Sequence, residues 1–372
     1  MIVPFELPFS QAAVDDLRLR LERTRWPGEI PGAGWDYGFS LPFLQDLCAY
    51  WKDSFDWQAQ LARMAQFRHY RFVAGNGLGI HFIHERGRGP SPIPLILTHG
   101  WPGSFLEMLR IIPMLTDRFD VVVPSLPGYG FSDRPDRRGV NTFAVAGIWV
   151  ELMQALGYSR FAAQGGDIGA GVSTILGLRH PGHVLGIHLN YIPASYRPHV
   201  ESGPPLNSEE EAFLREAARW FDDAGAYAHL QRTQPQTAAY GLHDSPAALA
   251  AWLVEKFRNW SDCEGDVYRR FTRDELLSQV TLYWMTETIG SSFRMYYESA
   301  RAPLQLGSGE RIGVPCAVAR FPKEAPFPPR CWVERGYNVR RWTALPAGGH
   351  FAAAEEPESL AADLREFFES VR

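Results

Sequence analysis

The sequence of 372 residues predicts an α/β fold with a mostly parallel central sheet. Two short apolar runs, at residues 93–97 and 119–124, have the length and continuity of strands that are buried on both faces. Helical stretches separate such runs along the chain, and this alternation is typical of parallel sheets with right-handed crossovers. Between residues 204 and 301 the strand pattern disappears, which predicts a helical insertion.

The first 90 residues precede the parallel part of the sheet, and we assign them to an N-terminal extension. Residues 11–24 predict a helix that ends before Pro27, with apolar side chains at Val14, Leu17, Leu19 and Leu21. Residues 41–64 carry a second helical pattern that is rich in aromatic side chains. Residues 70–87 change to a period of two around Asn76-Gly77, which predicts a β-hairpin.

The remaining pattern divides the chain into a core in two parts and a lid. We expect the core at residues 91–203 and 302–372, and the helical lid, or cap domain, at residues 204–301. The further predicted elements are helices at 142–156, after 167 and at 357–371, and strands at 160–164, 183–190, 313–319 and 339–345.

Composition excludes several classes of function. The net charge of −5 gives no basic field for nucleic acid or an anionic membrane surface. Cysteines are few and far apart (Cys48, Cys263, Cys316, Cys331), which indicates neither a metal site nor a redox pair and favours a reduced, cytoplasmic protein. No window approaches 18 uninterrupted apolar residues, so we expect neither a signal peptide nor a membrane span.

The segment FAAQGGDIGA at residues 161–170 carries the main chemical signal. It has the small-x-nucleophile-x-small pattern of a strand–turn–helix elbow, with Asp167 where serine hydrolases of the α/β-hydrolase fold carry serine. Gly165 and Gly169 would remove Cβ atoms that collide in such strained backbone. An ordinary glycine turn is the alternative, but the position after the third short strand favours the elbow. A helix N-terminus would keep Asp167 ionised, and a carboxylate attacks sp³ carbon to give an alkyl ester.

The α/β-hydrolase fold requires the chain order nucleophile, acid, histidine. His350 stands in PAGGHFAA (346–353), a glycine-flanked loop before the last helix, and we predict that it activates water as a general base. Glu324 follows the strand at 313–319 and is predicted to orient His350. The other position for this acid holds Asn190, which cannot carry the charge. A structural loop histidine and a solvated loop glutamate are the alternatives.

Hydrolysis of an ester also needs donors for a developing oxyanion. The first candidate is the backbone N–H of Ile168, next to the nucleophile. The second is the backbone N–H of Trp101, in the loop HGWPGS at residues 99–104. His99 opens this loop, and we expect it to hold backbone rather than to act as a second base.

These motifs together resemble the microsomal-type epoxide hydrolases and their soluble bacterial relatives. The resemblance covers essentially the whole chain, including LERTRWPGE (21–29) in the extension. The matching core and lid segments are HGWPGS (99–104), PSLPGYGFS (124–132), GGDIGA (165–170), LYWMTETIGSSFRMYYE (282–298) and GGHFAAAEEP (348–357). Membrane-bound members carry an N-terminal anchor that we do not find here.

The resemblance implies roles for named residues. Asp167, Glu324 and His350 match the nucleophile, acid and base of the family. The family also uses two lid tyrosines that bind the epoxide oxygen, and the resemblance places them at Tyr227 and Tyr283. A phenol suits this role because opening a strained ether creates an alkoxide that needs a proton. We expect the neighbouring pair Tyr296 and Tyr297 to pack in the core.

The sequence therefore predicts an epoxide hydrolase that forms a vicinal diol from a small-molecule epoxide and water, without a metal or an organic cofactor. Ile168 stands where family members often have tryptophan, which alters one wall of the pocket. A haloalkane or haloacid dehalogenase and a non-hydrolytic biosynthetic member of the fold are the alternatives. Dimerisation, and a role in detoxification or natural-product biosynthesis, stay open. An apolar or aromatic epoxide is favoured by the lid tryptophans Trp220, Trp252, Trp260 and Trp284.

Overall fold

The computed structural model describes residues 1–200 and 204–371. Within these residues one nine-stranded sheet has the order β1-β2-β3-β5-β4-β6-β7-β8-β9. The strands are β1 Ile2–Pro4, β2 His69–Val73, β3 Gly79–Glu85, β4 Ile93–Thr98, β5 Phe119–Pro124, β6 Phe161–Gly165, β7 Val184–Leu189, β8 Ile312–Arg320 and β9 Tyr337–Ala344. Strands β4 to β9 are mutually parallel, whereas β1, β2 and β3 add an antiparallel edge.

Helices precede, flank and interrupt this sheet. In chain order they are α1 Gln11–Glu22, α2 Leu41–Asp53, α3 Trp57–Met64, α4 Ile112–Leu115, α5 Thr142–Ala155, α6 Asp167–Arg179, α7 Ser208–Ala224, α8 Ala226–Thr233, α9 Pro235–Asp244, α10 Pro246–Trp260, α11 Arg273–Met285, α12 Ile289–Ser299, α13 Arg330–Glu334, α14 Ala352–Glu355 and α15 Pro357–Ser370. The predicted α/β-hydrolase fold, with its mostly parallel sheet, is confirmed.

The extension follows the predicted pattern with three differences, the first of which is strand β1, which the sequence pattern did not predict. Helix α1 buries Val14, Leu17 and Leu21, but Leu19 is 41% exposed, because it lies on the opposite face. The single helical pattern at 41–64 divides into α2 and α3, since Asp56 accepts a hydrogen bond from the N–H of Ala59 and begins a new helix there. The hairpin of β2 and β3 forms as predicted.

The core sheet is buried on both faces where it carries the site. Every residue of β5 and β6 is buried, as expected of strands covered on both faces, and each strand carries one polar side chain, Asp120 and Gln164. Helix α6 packs across β4, β6, β7 and β8. The nucleophile turn at its first residue is therefore anchored by a helix that is buried against four strands.

Helices α7 to α12 lie between β7 and β8, and the described residues from 204 to 301 contain no strand. The buried indole N–H of Trp51 donates to the Thr281 hydroxyl at 2.9 Å, which ties the extension to α11. The division into extension, core and lid stays a prediction, and its boundary at residue 203 lies outside the described residues. In residues 1–200 and 204–371, no helix has the length and apolar character needed to cross a bilayer.

Candidate active site

The elbow begins where β6 ends at Gly165 and α6 starts at Asp167. Asp167 has φ of +46°, in the left-handed region that side chains rarely adopt. A Cβ at Gly165 would lie 2.1 Å from the Gly169 carbonyl oxygen, and one at Gly169 would lie 1.9 Å from the carbonyl oxygen of Thr98. Only glycine allows this approach of strand and helix, so the turn holds the carboxylate in a fixed and strained position.

The loop after β4 closes over this carboxylate. The backbone N–H of Trp101 donates to Oδ1 of Asp167 at 2.9 Å. A Cβ at Gly100 would lie 2.3 Å from the same oxygen, so the backbone of this loop reaches the carboxylate directly. Ile168 lies in the first turn of α6, where a backbone N–H has no acceptor within the helix. Of the two predicted oxyanion donors, the N–H of Trp101 contacts the Asp167 carboxylate, and the N–H of Ile168 follows it in the first turn of the helix.

His350 lies between the nucleophile and the acid. Its Nδ1 lies 2.9 and 3.1 Å from the two carboxylate oxygens of Glu324, and its Nε2 lies 3.7 Å from Oδ2 of Asp167. Burial alone would lower the pKa of His350, but the carboxylate of Glu324, with that of Asp167 acting in the same direction, outweighs burial and raises the pKa to about 9. At this pKa His350 is protonated at neutral pH, with its Nε2 next to Oδ2 of Asp167.

The end of α10 and the residues after it fix the loop that carries this histidine. The backbone N–H of His350 donates to the carbonyl oxygen of Trp260 at 2.9 Å. The Asp262 carboxylate accepts from the N–H of Gly348, and its backbone N–H donates to the buried carboxylate of Glu355. The imidazole is therefore held by both the core and the end of α10.

Two other residues from the sequence prediction have structural partners. Asn190 accepts a hydrogen bond from the Gln164 side chain at 2.8 Å, away from the pair formed by His350 and Glu324. His99 contacts the Gly100 carbonyl through Nδ1 and accepts from the N–H of Leu126 through Nε2. Burial lowers the pKa of His99 to about 4, so this ring is neutral and connects two backbone segments, as predicted.

A cleft of about 1070 Å³ opens above Asp167. Tyr227 lines it, and its ring stacks on the Trp101 indole with a centroid distance of 5.3 Å. Trp220 also lines the cleft, and Trp260 lines the adjoining hollow next to Glu324. Two of the four lid tryptophans named from the sequence, Trp220 and Trp260, therefore line these cavities. Trp252 and Trp284 are not among the lining side chains of either cavity.

Tyr283 is not brought to this cleft. Its side chain is almost fully buried, and its hydroxyl donates to the carbonyl oxygen of Gly103 at 2.9 Å. The one proton of this hydroxyl is therefore used in a hydrogen bond to the loop that follows β4. The assignment of Tyr283 as a partner of the epoxide oxygen is corrected on this ground.

Tyr296, which the sequence analysis placed in the core, lines the cleft instead. Its ring lies 6.2 Å from that of Tyr227. Burial raises the pKa of Tyr227, the charge of Asp167 adds to this effect, and the neighbouring Tyr296 side chain opposes it, so both phenols keep their protons. Met295, Tyr296 and Ser299 lie on one side of α12 and line the cleft together, but their spacing in the sequence does not show that this side faces the cleft.

The fold and these side chains define a class: an α/β-hydrolase in which an aspartate stands at the nucleophile elbow. Residues 93–276 match the family model of the alpha/beta hydrolase fold, and residues 2–108 match that of the epoxide hydrolase N terminus.

Relatives of known name agree with this class. A Stigmatella aurantiaca protein with a provisional epoxide hydrolase name is 42% identical over 382 residues, spanning 100% of this chain and 86% of its own. Epoxide hydrolase 1 of Sus scrofa is 35% identical over 98% of this chain and 88% of its own. The solved Aspergillus niger epoxide hydrolase is 30% identical with a TM-score of 0.89, covering 100% of this chain and 97% of its own. The chain belongs to the epoxide hydrolase family with the N-terminal extension, and it is an enzyme that acts on epoxides.

Metal ligands are a separate question. Within the part of the chain that the structure describes, no group of three or more histidine, cysteine, aspartate or glutamate side chains is arranged to hold a metal ion.

Proposed function

We propose that this enzyme hydrolyses a bulky apolar epoxide to a vicinal diol through an ester on Asp167. The observation that carries the proposal is the contact chain from Asp167 through His350 to Glu324, with distances of 3.7 and 2.9 Å, beneath a cleft that the phenols of Tyr227 and Tyr296 line together with Tyr191. The cleft exceeds the roughly 300–1000 Å³ of most ligand pockets. A bulky, mainly apolar epoxide fits such a volume better than a small one does.

The first step opens the ring. The carboxylate of Asp167 attacks one epoxide carbon, the carbon–oxygen bond of the ring breaks, and the phenols of Tyr227 and Tyr296 donate to the departing oxygen. The hydroxyl that forms needs one proton. His350, which is protonated at neutral pH, replaces the proton that a phenol gives up.

Ester formation therefore prepares the second step. The ester on Asp167 no longer carries the negative charge that helped to raise the pKa of His350, so the imidazole becomes a better base. Neutral His350 takes a proton from water, which attacks the ester carbonyl, while the N–H groups of Trp101 and Ile168 stabilise the oxyanion. Glu324 stabilises the imidazolium that forms again.

The test is to trap the ester. In a His350→Gln variant, a styrene-oxide-type substrate should alkylate the protein once, and mass spectrometry of its peptides should find the added mass of the epoxide on Asp167. The matched Asp167→Asn variant should remain unmodified. Diol formation without any adduct, or an adduct on another side chain, would overturn the proposal. A parallel halide-release assay separates it from the dehalogenase alternative.

A further inference from the structure

A second and much smaller cavity borders the nucleophile. Its volume is about 20 Å³, and Glu107, Gln164, Asp167 and His350 contribute to its wall. A volume of roughly 10–15 Å³ on this scale is enough for one water molecule, provided that two to four polar groups surround it. This hollow thus has the size of a single water and borders both reacting side chains.

Gln164 supplies an unused acceptor at this hollow. The residue is 1% exposed, and its amide N–H donates to the Asn190 side chain at 2.8 Å. The oxygen of the same amide is buried and has no hydrogen-bond partner within the protein. Leaving a buried acceptor unpaired costs about 1–3 kcal/mol, so a donor from outside the protein is expected there.

Glu107 supplies the second polar group. Burial raises its pKa to about 8, the nearby Asp167 and Glu355 carboxylates act in the same direction, and His350 opposes them. The side chain is therefore neutral at neutral pH and can both donate and accept a hydrogen bond. A neutral acid also adds no third negative charge beside Asp167.

The loop after β4 makes room for this carboxyl group. A Cβ at Gly103 would lie only 1.1 Å from Oε1 of Glu107, so any side chain at position 103 would displace it. A single added methyl group at this position can thus move Glu107 without changing its chemistry.

We propose that Glu107, together with Gln164, holds the hydrolytic water in this hollow beside His350; the proposal rests on the proposed ester mechanism. The water oxygen bonds to the carbonyl carbon of the Asp167 ester as one water proton passes to Nε2 of His350. The bond from that carbon to the alkyl oxygen then breaks, the alkoxide takes the proton from His350 to give the diol, and the carboxylic acid left on Asp167 gives its remaining proton to Nε2 of His350. Glu107 gains and loses nothing in the cycle, because its role is to place the water.

The test separates the two steps of a single turnover by rapid quench. Glu107→Met keeps the size but removes both hydrogen-bonding functions. We expect ester formation within about twofold of wild type and ester hydrolysis about 10- to 100-fold slower, as for a reactant that is poorly positioned. Glu107→Gln keeps a donor and an acceptor and should recover most of the hydrolysis rate.

Gly103→Ala is the matched variant with Glu107 intact, and it should show the same selective loss of hydrolysis. It also decides the question if Glu107→Met does not fold. Equal slowing of both steps, or unchanged hydrolysis in Glu107→Met and Gly103→Ala, would overturn the role of Glu107 while leaving the ester mechanism in place. Absence of any ester in the wild-type enzyme would instead reject the proposed mechanism, and this proposal with it.

Discussion

Replacing Glu324 by glutamine should slow hydrolysis of the ester far more than its formation. The Glu324 side chain is almost fully buried, and both its oxygens lie within 3.1 Å of Nδ1 of His350. A hydrogen bond to a charged group at such a site contributes about 1.5–3 kcal/mol, which corresponds to a rate loss of about 10- to 150-fold. The loss falls on the second step because that step creates the imidazolium.

The same change should alter the pH dependence in a defined direction. The carboxylate of Glu324 raises the pKa of His350, whose value of about 9 means that the ring is charged below that pH. Without this charge the pKa falls toward its ordinary value, so the imidazolium is lost at lower pH than in wild type. NMR titration of the imidazole and rapid-quench measurement of both steps provide the assay.

The control for this experiment is Glu334→Gln, which removes an exposed glutamate paired with Arg330. It should leave both steps and the titration of His350 unchanged. The reasoning would be refuted if Glu324→Gln left the His350 titration and ester hydrolysis at their wild-type values.

Two further predictions concern the tyrosines and the elbow. Tyr296→Phe should slow ester formation about 10- to 100-fold, because one of two donors to the epoxide oxygen is lost, whereas Tyr283→Phe should leave the rate within about threefold and cost about 1 kcal/mol of stability. Equal effects of the two substitutions on ester formation would reject the reassignment. Gly169→Ala should destabilise the fold by about 3 kcal/mol or more in chemical denaturation, because its Cβ would meet the Thr98 carbonyl oxygen. The control is Gly147→Ala on α5, where nothing lies within 4 Å of the added Cβ, and a Gly169→Ala protein as stable as this control would contradict the account of the elbow.

Local pattern was sufficient for the parallel strands, for the hairpin of β2 and β3 and for the nucleophile turn, but not for the short strand β1. Buried parallel strands appear in the sequence as largely apolar runs. The close approach of β6 and α6 requires glycine at Gly165 and Gly169, which the sequence shows directly. The break between α2 and α3 was missed, because the capping Asp56 lies inside a continuous apolar pattern. Capping competes with periodicity there, and the periodic pattern alone does not reveal which prevails.

The tyrosines show the limit of sequence reasoning at the site. Both Tyr283 and Tyr296 lie in the same matching segment, and neither its composition nor its spacing says how α11 and α12 turn toward the cleft. Tertiary packing directs Tyr283 to the Gly103 carbonyl and leaves Tyr296 beside Tyr227. Glu107 could not be identified from the sequence either, because its proposed role depends on a small cavity that is enclosed by segments distant in the sequence.

The most direct test of the account is a single turnover in water enriched in heavy oxygen, with enzyme in excess over epoxide. If Asp167 attacks the epoxide, the oxygen added in the first diol comes from its carboxylate, so that diol contains no solvent label and the label enters the Asp167 side chain. A first-turnover diol that carries solvent oxygen, with Asp167 unlabelled, would mean that water attacks the epoxide directly and would contradict the ester mechanism.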